Sequence, residues 1–458
     1  MNDFKMVSFD AGTRVHFIGI GGISMSALAE LLAARGCLIS GSDRQDSPLI
    51  RRLVQLGIPV RIGHARGAIA GADCVVYTSA TDSENPERKA AREKGIPLLR
   101  RAELLGQLVN PHPSICVAGT HGKTTTTAMI TTMLIAAGHD PTALIGGVIS
   151  GWETALHIGN GAHWVVEADE YDRSFLTLKP KIAVVTALEA DHLDCYEDMN
   201  DIRVTFEQFV NGLPNDGCAV LCADSPDIRM LNLDRRYKKM TFGLTDGDLR
   251  ATSIEQDGFG MAFDVFEKNT RLGRARLQVP GKHNVTNALS ALGVGVYVGL
   301  NWEEICSGIE AFRGVHRRFE MLGEARGIAV VDDYAHHPTE IAATLQAVRA
   351  GWRGRLVVAF QPHLYTRTRD FAPDFARVLQ RADRVWITDI YPAREEPIAG
   401  VDGKWLADQI SGANYAPALN DLKVALLNDL RAGDLLLVMG AGDIETVARD
   451  IYQILREI

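Results

Sequence analysis

The strongest chemical signal in this sequence is a short glycine-rich loop. It reads Gly119-Thr120-His121-Gly122-Lys123-Thr124 and lies between a predicted strand, Ser114–Ala118, and a predicted helix. Glycines let backbone N–H groups face an anion, and the N-terminus of the helix adds partial positive charge. Lys123 would contact the β- and γ-phosphates of ATP, and the Thr124 hydroxyl would ligate Mg²⁺. The loop is shorter than the common phosphate-loop pattern, which has glycine where this chain has Val117.

Two acidic clusters follow other strands of the same segment. Glu167–Asp172 and Glu189–Asp194 each come shortly after a predicted buried strand. Open α/β sheets bind ligands at the carboxyl ends of their strands, so we expect these clusters beside the phosphate loop. Their oxygen and nitrogen atoms could complete the coordination of Mg²⁺ or Mn²⁺. Glu167 and His192 are the candidate ligands.

A second glycine turn follows the first predicted strand of the chain. It contains Gly19, Gly21 and Gly22, and Ser24 stands where the dinucleotide-binding fingerprint has its third glycine. Asp43 ends the next predicted strand. This pattern suits a nucleotide or a pyrophosphate at a helix N-terminus. It suits a plain turn between a strand and a helix nearly as well.

Predicted strands and helices alternate along the chain, which indicates parallel sheets. At 458 residues, about three domains are expected. Two prolines near residue 110 and a new series of strands near residue 313 suggest domains at 1–109, 110–312 and 313–458. The stretch Thr241–Val279 alternates apolar and polar residues, so we expect an antiparallel edge there.

Composition and charge restrict the classes of partner. Hydrophobic residues make up 46% of the chain and the formal net charge is −9, which argues against nucleic acid as a partner. The sequence contains no apolar run of the ~20 residues that a membrane helix needs, and its first residues lack the core of a signal peptide. We therefore expect a cytoplasmic protein without membrane insertion. The seven cysteines are scattered, and the close pair Cys218 and Cys222 has no second pair nearby, so we expect free thiols and no zinc site.

These motifs together resemble the Mur ligase family of ATP-dependent enzymes of peptidoglycan precursor synthesis. The blocks that carry the resemblance are GIGGISMSALA (19–29), GTHGKTTTT (119–127), EADEYDRSFL (167–176), DHLDCY (191–196), GKHNVTNALSA (281–291), GVHRRFE (314–320), DDYAHHPTE (332–340), QPHLYTRT (361–368) and IYPARE (390–395). The resemblance covers almost the whole chain. It implies an α/β fold with a Rossmann-like N-terminal domain for a UDP-sugar, a central P-loop ATPase domain with a mostly parallel sheet, and a Rossmann-like C-terminal domain for an amino acid.

Within the family, the resemblance is greatest to the branch that joins L-alanine to UDP-N-acetylmuramate, and it implies these two small molecules as substrates. In that reaction the muramate carboxylate attacks the γ-phosphate of ATP and forms an acyl phosphate. The amine of L-alanine then displaces phosphate. Later-acting ligases carry a lysine downstream of the histidine, and this chain has no lysine between Lys181 and Lys238. We expect a monomer or a weak homodimer.

The resemblance implies roles for particular residues. The catalytic residues would be Lys123, Glu167 and His192, and the metal would be held by Thr124, Glu167 and His192. The ATP-binding residues would be Gly119, Thr120, His121, Gly122, Lys123, Thr124, Thr125, Asn284, Asn287, Arg318 and Asp333. The UDP-sugar site would comprise Gly19, Gly21, Gly22, Ser24, Asp43 and Ser79.

The amino-acid site implied by the resemblance lies in the C-terminal segment. It would be built from Tyr334, His336, His337, His363 and Arg367. The guanidinium of Arg367 matches the geometry of a carboxylate, so Arg367 is the candidate to bind the carboxylate of the amino acid. It would supply the positive charge there alone, because Leu364 stands where many members of the family have a basic residue. Pro338, directly after two histidines, equally predicts a helix start that leaves one of them structural. The sequence identifies no general base for the incoming ammonium, and Ser24 leaves the fit of a pyrophosphate in the first turn open.

Three other functions are compatible with parts of the sequence. A ligase that returns free tripeptide to UDP-N-acetylmuramate would share the first two domains and differ around 334–367. A dehydrogenase would use the first glycine turn for NAD, but it would leave the GTHGKT loop and both acidic clusters without a role. A P-loop switch protein would not need a separate turn for a sugar nucleotide.

Overall fold

The computed structural model describes residues 7–190, 195–393 and 395–457. Within these ranges the strands form three sheets, and most of their pairings are parallel. The predicted α/β class with mostly parallel sheets is confirmed. None of the described helices has both the length and the apolar character that a membrane crossing requires.

The first sheet is parallel, in the order β3-β2-β1-β4-β5. Its strands are β1 (Arg14–Ile18), β2 (Leu38–Asp43), β3 (Val60–Ile62), β4 (Cys74–Tyr77) and β5 (Leu98–Arg100), and the helices are α1 (Ile23–Ala34), α2 (Pro48–Gln55), α3 (Pro86–Glu93) and α4 (Arg101–Val109). The chain runs outward from β1 to β3 and then returns to the other side of β1 at β4. This reversal leaves a crevice at the carboxyl ends of β1 and β4, where ligands bind in such sheets.

The central sheet has the order β15-β14-β13-β12-β11-β10-β6-β9-β7-β8. Its strands are β6 (Ser114–Ala118), β7 (Thr142–Leu144), β8 (Leu156–His157), β9 (Trp164–Glu167), β10 (Ile182–Val185), β11 (Cys218–Cys222), β12 (Lys238–Gly243), β13 (Leu249–Asp257), β14 (Gly260–Glu267) and β15 (Thr270–Leu277). Its helices are α5 (Lys123–Ala136), α6 (Met199–Asn211), α7 (Pro226–Arg229), α8 (Lys282–Val298) and α9 (Trp302–Ala311), with a 3-10 segment at Tyr171–Thr177.

Strand β6 is buried along its whole length, as the apolar sequence Ser114–Ala118 predicts for a central parallel strand. It pairs in parallel with β10 on one side and with β9 on the other. The phosphate loop, which follows β6, therefore leaves the sheet between the two strands that precede the acidic clusters.

The strands β13, β14 and β15 lie at one edge of the sheet. They cover most of the alternating stretch Thr241–Val279.

The third sheet has the order β16-β17-β21-β18-β19-β20, with β16 antiparallel to β17. Its strands are β16 (Glu320–Ala325), β17 (Ile328–Asp333), β18 (Leu356–Phe360), β19 (Arg384–Ile387), β20 (Asn414–Tyr415) and β21 (Leu435–Met439). Its helices are α10 (Pro338–Gly351), α11 (Tyr365–Asp370), α12 (Ala372–Leu379), α13 (Gly403–Ala407), α14 (Leu419–Asp429) and α15 (Glu445–Glu457). Leu356, Val358 and Phe360 pack on one face while Val357 and Ala359 pack on the other, as alternation along a strand requires.

The chain forms two compact units. The first runs to Thr252 and adds 265–273 and 286–311, so it contains the first sheet and the phosphate loop. The second comprises 253–264, 274–285 and the chain from Phe312 onward, and it contains the third sheet. The predicted domain boundaries at 109 and 312 stay predictions.

A buried carboxyl group lies at the end of β17. Asp332 is fully buried, and neither of its oxygens has a hydrogen-bond partner among the described residues. Burial raises the pKa of Asp332 to about 7, although the guanidinium of Arg317, 3.9 Å away, favours the charged form. The folded state therefore keeps a proton on Asp332 at pH values where the unfolded chain, with a pKa near 3.8, has lost it.

This difference predicts a stability that falls as the pH rises. The folded state binds one more proton at Asp332 between pH 4 and pH 7, so the contribution of this group to the free energy of unfolding should decrease over that window, by at most about 4 kcal/mol. Asp332→Asn removes this titration, so the variant should gain unfolding free energy relative to the wild type as the pH rises from 5 to 8. Urea unfolding at both pH values measures this, with the exposed Asp421→Asn as control. Equal pH dependence in wild type and Asp332→Asn would contradict the assignment.

Candidate active site

The phosphate loop joins β6 to α5 and requires both of its glycines. Gly119 has φ +135° and Gly122 has φ +80°, which L side chains rarely adopt. A Cβ on Gly119 would also lie 2.2 Å from Oγ1 of Thr186. That buried hydroxyl donates to the backbone carbonyls of Ala118 and His121. The loop is thus held in shape by a threonine that directly follows β10.

Lys123 lies inside the loop and is paired with a buried carboxylate. Its Nζ donates to the carbonyl of Gly119 at 2.7 Å and to Oε1 of Glu170 at 2.8 Å. Burial alone would lower the pKa of Lys123, but the carboxylates of Glu170, Asp169 and Glu167 outweigh it and raise the pKa above its usual value. The lysine is therefore a permanent cation near neutral pH. Glu170 was missing from the predicted site, although it belongs to the EADE block.

Glu167 ends β9, next to Val117 of β6 in the register of the sheet. The N–H of Gly146 donates to Oε2 of Glu167 at 2.8 Å. A Cβ on Gly146 would lie 2.4 Å from both carboxylate oxygens, so a larger residue here would displace the carboxylate of Glu167 from this position. The sequence offered a signal for it, the glycine pair that follows Ile145. His192, the other residue predicted for this cluster, lies outside the described residues.

The other predicted residues of the loop differ in their surroundings. Thr120 and Thr124 are buried, and Thr125 is half-buried in the first turn of α5. His121 brings Nε2 to 3.3 Å from Oε2 of Glu189, the first residue of the second acidic cluster. The loop thus contacts the strand ends on both of its sides.

Of the two predicted asparagines, one lies against the loop. Asn287 on α8 is so close that a Cβ on Gly122 would come within 2.6 Å of its Oδ1. Asn284 is one turn earlier in the same helix, and its Nδ2 donates to the carbonyl of Pro280 at 2.7 Å. Asn287 and the loop belong to the first compact unit, and Asn284 belongs to the second.

The glycine turn after β1 lies at the crevice of the first sheet. The N–H of Gly21 donates to Oδ2 of Asp43, at the end of β2, with a distance of 2.8 Å. Gly19 has φ +80°, and a Cβ there would lie 2.8 Å from Cγ2 of Thr78, just past β4. The ends of β1, β2 and β4 therefore lie side by side at this crevice.

The remaining residues predicted for the UDP-sugar site border the same crevice. Gly22 is the N-cap of α1, and Ser24 lies half-buried in the first turn of that helix. Ser79 is exposed and follows Thr78 after β4. Their positions leave N–H groups and hydroxyls beside a helix N-terminus, where anions bind.

A buried glutamate supports this crevice and was not predicted. Glu87 is fully buried and accepts hydrogen bonds from Oγ of Ser42 at 2.6 Å and from the N–H of Ala65 at 3.0 Å. His16 is 3.3 Å away. Burial opposes its charge, but hydrogen bonds from His16, Ser42 and Ala65 outweigh burial and keep the pKa of Glu87 below its usual value. Ser42 directly precedes Asp43, so the network fixes the end of β2.

The residues predicted for the amino acid form a chain of contacts in the second unit. The ring centroids of Tyr334 and His336 are 5.3 Å apart, and those of His336 and His363 are 5.7 Å apart. Nη1 of Arg367 lies 3.2 Å from Nδ1 of His363. Because arginine only donates, this Nδ1 accepts and the imidazole carries its proton on Nε2. The fold brings these four residues together at the ends of β17 and β18.

Two arginines contact the ring of Tyr334. The guanidinium carbons of Arg317 and Arg318 lie 4.8 Å and 4.9 Å from its centroid. Arg317 also donates to the carbonyls of Gly440 and Gly442, at 2.7 Å and 2.9 Å. Arg318 was predicted and Arg317 was not. Arg317 ties the glycine turn after β21 to the strand end that carries Tyr334.

Asp333 is the last residue of β17 and its carboxylate holds the loop that follows. It accepts from the N–H groups of Ala335 and Phe319 at 2.7 Å and 3.1 Å, and from Oγ1 of Thr344 at 3.1 Å. Burial raises the pKa of Asp333 to about 6, although Arg318 favours its charged form. The carboxylate predicted for ATP thus also has a structural role.

The second histidine of the pair at 336–337 is the N-cap of α10. Nδ1 of His337 accepts from the N–H of Thr339 at 3.4 Å, and Glu340 completes the capping box. Pro338 occupies the first turn, which its fixed φ favours. This arrangement matches the alternative in which one histidine of the pair begins a helix.

The central sheet places a glycine-rich loop between acidic strand ends, an arrangement that suits a nucleotide-binding site, and comparison with known families agrees with this class of protein. Family models match as "Mur ligase family, catalytic domain" at 14–112, "Mur ligase middle domain" at 117–295 and "Mur ligase, glutamate ligase domain" at 317–442. The chain belongs to the Mur ligase family.

Comparison with individual proteins shows which members of the family this chain is similar to. The chain is 44% identical to the UDP-N-acetylmuramate–L-alanine ligase of Geotalea daltonii, with 97% of this chain and 98% of the relative covered. It is 44% identical to the ligase of the same name from Salinibacter ruber, with 96% and 95% covered. The solved UDP-N-acetylmuramate–alanine ligase of Thermotoga maritima superposes with a TM-score of 0.85 at 30% identity, covering 96% and 98%. A murein peptide ligase of Psychrobacter arcticus superposes with a TM-score of 0.74 at 26% identity, covering 98% and 99%.

The tight packing of the loop predicts that Gly119→Ala weakens ATP binding. The new Cβ would displace the Thr186 hydroxyl and make the loop relax, and ATP binding would have to restore the loop at a cost of about 1–3 kcal/mol, which corresponds to about a 5- to 150-fold loss of affinity. Titration with a fluorescent ATP analogue measures it. Gly67→Ala is the matched control, because an added Cβ there meets nothing within 4 Å. If Gly119→Ala binds as tightly as the control, the loop does not hold the nucleotide.

Proposed function

We propose that this protein joins L-alanine to the carboxylate of UDP-N-acetylmuramate, converting ATP to ADP and phosphate. The observation that carries the proposal is the likeness over nearly the whole chain to ligases of that name, at 44% identity to the Geotalea daltonii and Salinibacter ruber proteins. The geometry supports it, because a phosphate loop, a carboxylate cluster and a sugar-nucleotide crevice lie in one compact unit.

The chemistry requires activation, since a free carboxylate is a poor acyl donor. A carboxylate oxygen of the sugar attacks the γ-phosphorus of ATP, the bond from that phosphorus to the β–γ bridging oxygen breaks, and ADP leaves. The amine of L-alanine, after losing its proton, attacks the acyl carbon. The bond from carbon to the phosphate oxygen then breaks, which releases phosphate and leaves the amide.

In this proposal Lys123 exchanges its contact with Glu170 for the β- and γ-phosphates. Its permanent charge stabilises the negative charge that develops on the transferred group. The N–H groups of the loop and the start of α5 would bind the phosphates, and Asn287 would contact ATP from α8. We assign Asn284, Arg318 and Asp333 to the nucleotide as well.

The donor set at the loop suits Mg²⁺ or Mn²⁺. The Thr124 hydroxyl and the Glu167 carboxylate are hard oxygen donors, and we assign His192 as a further ligand. When bound, the metal would neutralise phosphate charge and favour attack by the carboxylate. The N–H of Gly146 fixes the orientation of Glu167, which prepares the carboxylate for this role.

The other two substrates would occupy the remaining predicted sites. The UDP-sugar pyrophosphate would lie on the glycine turn, against Gly21 and Ser24, with the α1 N-terminus supplying positive potential. The carboxylate of L-alanine would be held by Arg367, with Tyr334, His336 and His363 around it. We place the reaction in the cytoplasm, carried out by a monomer or a weak homodimer.

The nearest alternative function is that of a ligase that joins a peptide, since the Psychrobacter arcticus relative is a murein peptide ligase. The acceptor, one amino acid or a tripeptide, therefore distinguishes the two functions. Phosphate release should require both UDP-N-acetylmuramate and L-alanine. Glycine lacks one methyl group, worth about 1–3 kcal/mol, and should react more slowly. The tripeptide should give no release above background. A coupled phosphate assay with alanine, glycine, serine and tripeptide measures these rates.

The Lys123→Ala variant sets the background of that assay. Removal of one preorganised charge should lower the rate with L-alanine about 10²- to 10³-fold. Equal turnover with the tripeptide, or release without the sugar nucleotide, would overturn the proposed function.

A further inference from the structure

A small cavity in the first unit connects the glycine turn of the first sheet to the acidic end of β9. It measures about 50 Å³. Its apolar floor is formed by Ala27, Leu28, Leu105, Leu144, Ile145 and Val166. The rest of the cavity is lined by Ser24 from α1, Arg101, Gly146, Glu167 and Asp169. The cavity is large enough to admit a group the size of a carboxylate.

Of the described residues that line this cavity, Arg101 is the one with a positive charge. Its side chain is mostly buried, with 19% exposed, and among residues 7–190, 195–393 and 395–457 its one side-chain contact to an acid is at 3.3 Å to Oδ2 of Asp169. The carboxylate of Asp169 is 39% exposed and also accepts from the N–H of Tyr171 at 3.1 Å. Asp169 therefore has a second hydrogen-bond donor, the N–H of Tyr171, besides Arg101.

The ion pair between Arg101 and Asp169 adds little to the stability of the fold. An ion pair with one long contact and a partly exposed partner contributes little, about 0–1 kcal/mol. A guanidinium has five N–H donors in a planar fork, and Asp169 engages one of its nitrogens. Within the described part of the chain, the other donors of Arg101 thus have no side-chain acceptor and can serve a planar anion that enters from the cavity.

We propose that Arg101 binds the carboxylate of the sugar nucleotide, the same group that is later phosphorylated. This inference rests on the proposed function, in which a UDP-sugar lies on the turn that contains Ser24 and Glu167 holds the metal beside the reacting groups. Ser24, Arg101 and Glu167 line the same cavity, so a carboxylate of that sugar in the cavity would lie between the turn and the metal ligand. The guanidinium would hold one planar carboxylate in place for attack, which a point charge would orient less well.

The competing explanation is that Arg101 only steadies the loop that carries Asp169 and Glu170. That role would affect all ligands of the site alike. A role in binding the carboxylate would affect only ligands that have one. The two explanations can therefore be separated with a pair of sugar nucleotides that differ in this group.

Calorimetric titration of the whole protein with UDP-N-acetylmuramate and with UDP-N-acetylglucosamine, which lacks the carboxylate, makes this comparison. Arg101→Ala should weaken binding of the muramate about 10- to 100-fold and binding of the glucosamine less than about threefold. Arg101→Lys should recover part of the loss. The neighbouring Arg100→Ala is the matched control, since Arg100 pairs with Glu103 and Asp172, and it should change neither affinity by more than about threefold.

Thermal unfolding of each variant confirms that it is folded. An equal loss for both sugar nucleotides, or no loss for either, would overturn the assignment of Arg101 while leaving the proposed function intact. Failure of the wild-type protein to bind UDP-N-acetylmuramate would overturn the proposed function, and the assignment with it.

Discussion

Parallel pairing of β6 with β9 and β10 is the constraint on which the site depends. In a parallel sheet all three strands end at the same edge, so the loop after β6 must lie between the residues that follow its neighbours. On one side this brings Glu167 beside the loop, and on the other it brings Thr186, whose hydroxyl holds the loop carbonyls. A change in the register of either pair would separate these groups.

The same edge concentrates charge. Lys123 is surrounded by Glu167, Asp169 and Glu170, which stabilise its charge and outweigh the lowering of its pKa by burial. ATP adds further negative charge, which a divalent cation and the N–H groups of the loop would balance in the proposed reaction. Arg101 adds a second cation 3.3 Å from Asp169. A chain with a net charge of −9 can thus offer sites to anionic substrates, because a few of its 48 lysines and arginines, Lys123 and Arg101 among them, lie where we propose that the anions bind.

The sequence was most informative where a motif is continuous in the chain. The phosphate loop and Glu167 could be located because each directly follows a buried strand, and parallel pairing then places them together. Contacts between distant positions were not visible. Lys123 and Glu170 are 47 residues apart, Gly146 and Glu167 are 21 apart, and Arg101 and Asp169 are 68 apart. No local propensity encodes such contacts, since they depend on how separate elements pack.

In the proposed reaction, the sugar carboxylate attacks the γ-phosphate of ATP. Labelling with ¹⁸O tests it most directly. UDP-N-acetylmuramate with both carboxylate oxygens labelled is turned over with ATP and L-alanine, and the released phosphate is analysed by mass spectrometry. We expect one ¹⁸O atom in each released phosphate, because the carboxylate oxygen that attacked the phosphorus stays with the phosphate when the acyl phosphate is cleaved. Unlabelled phosphate, formed together with the amide product, would contradict it.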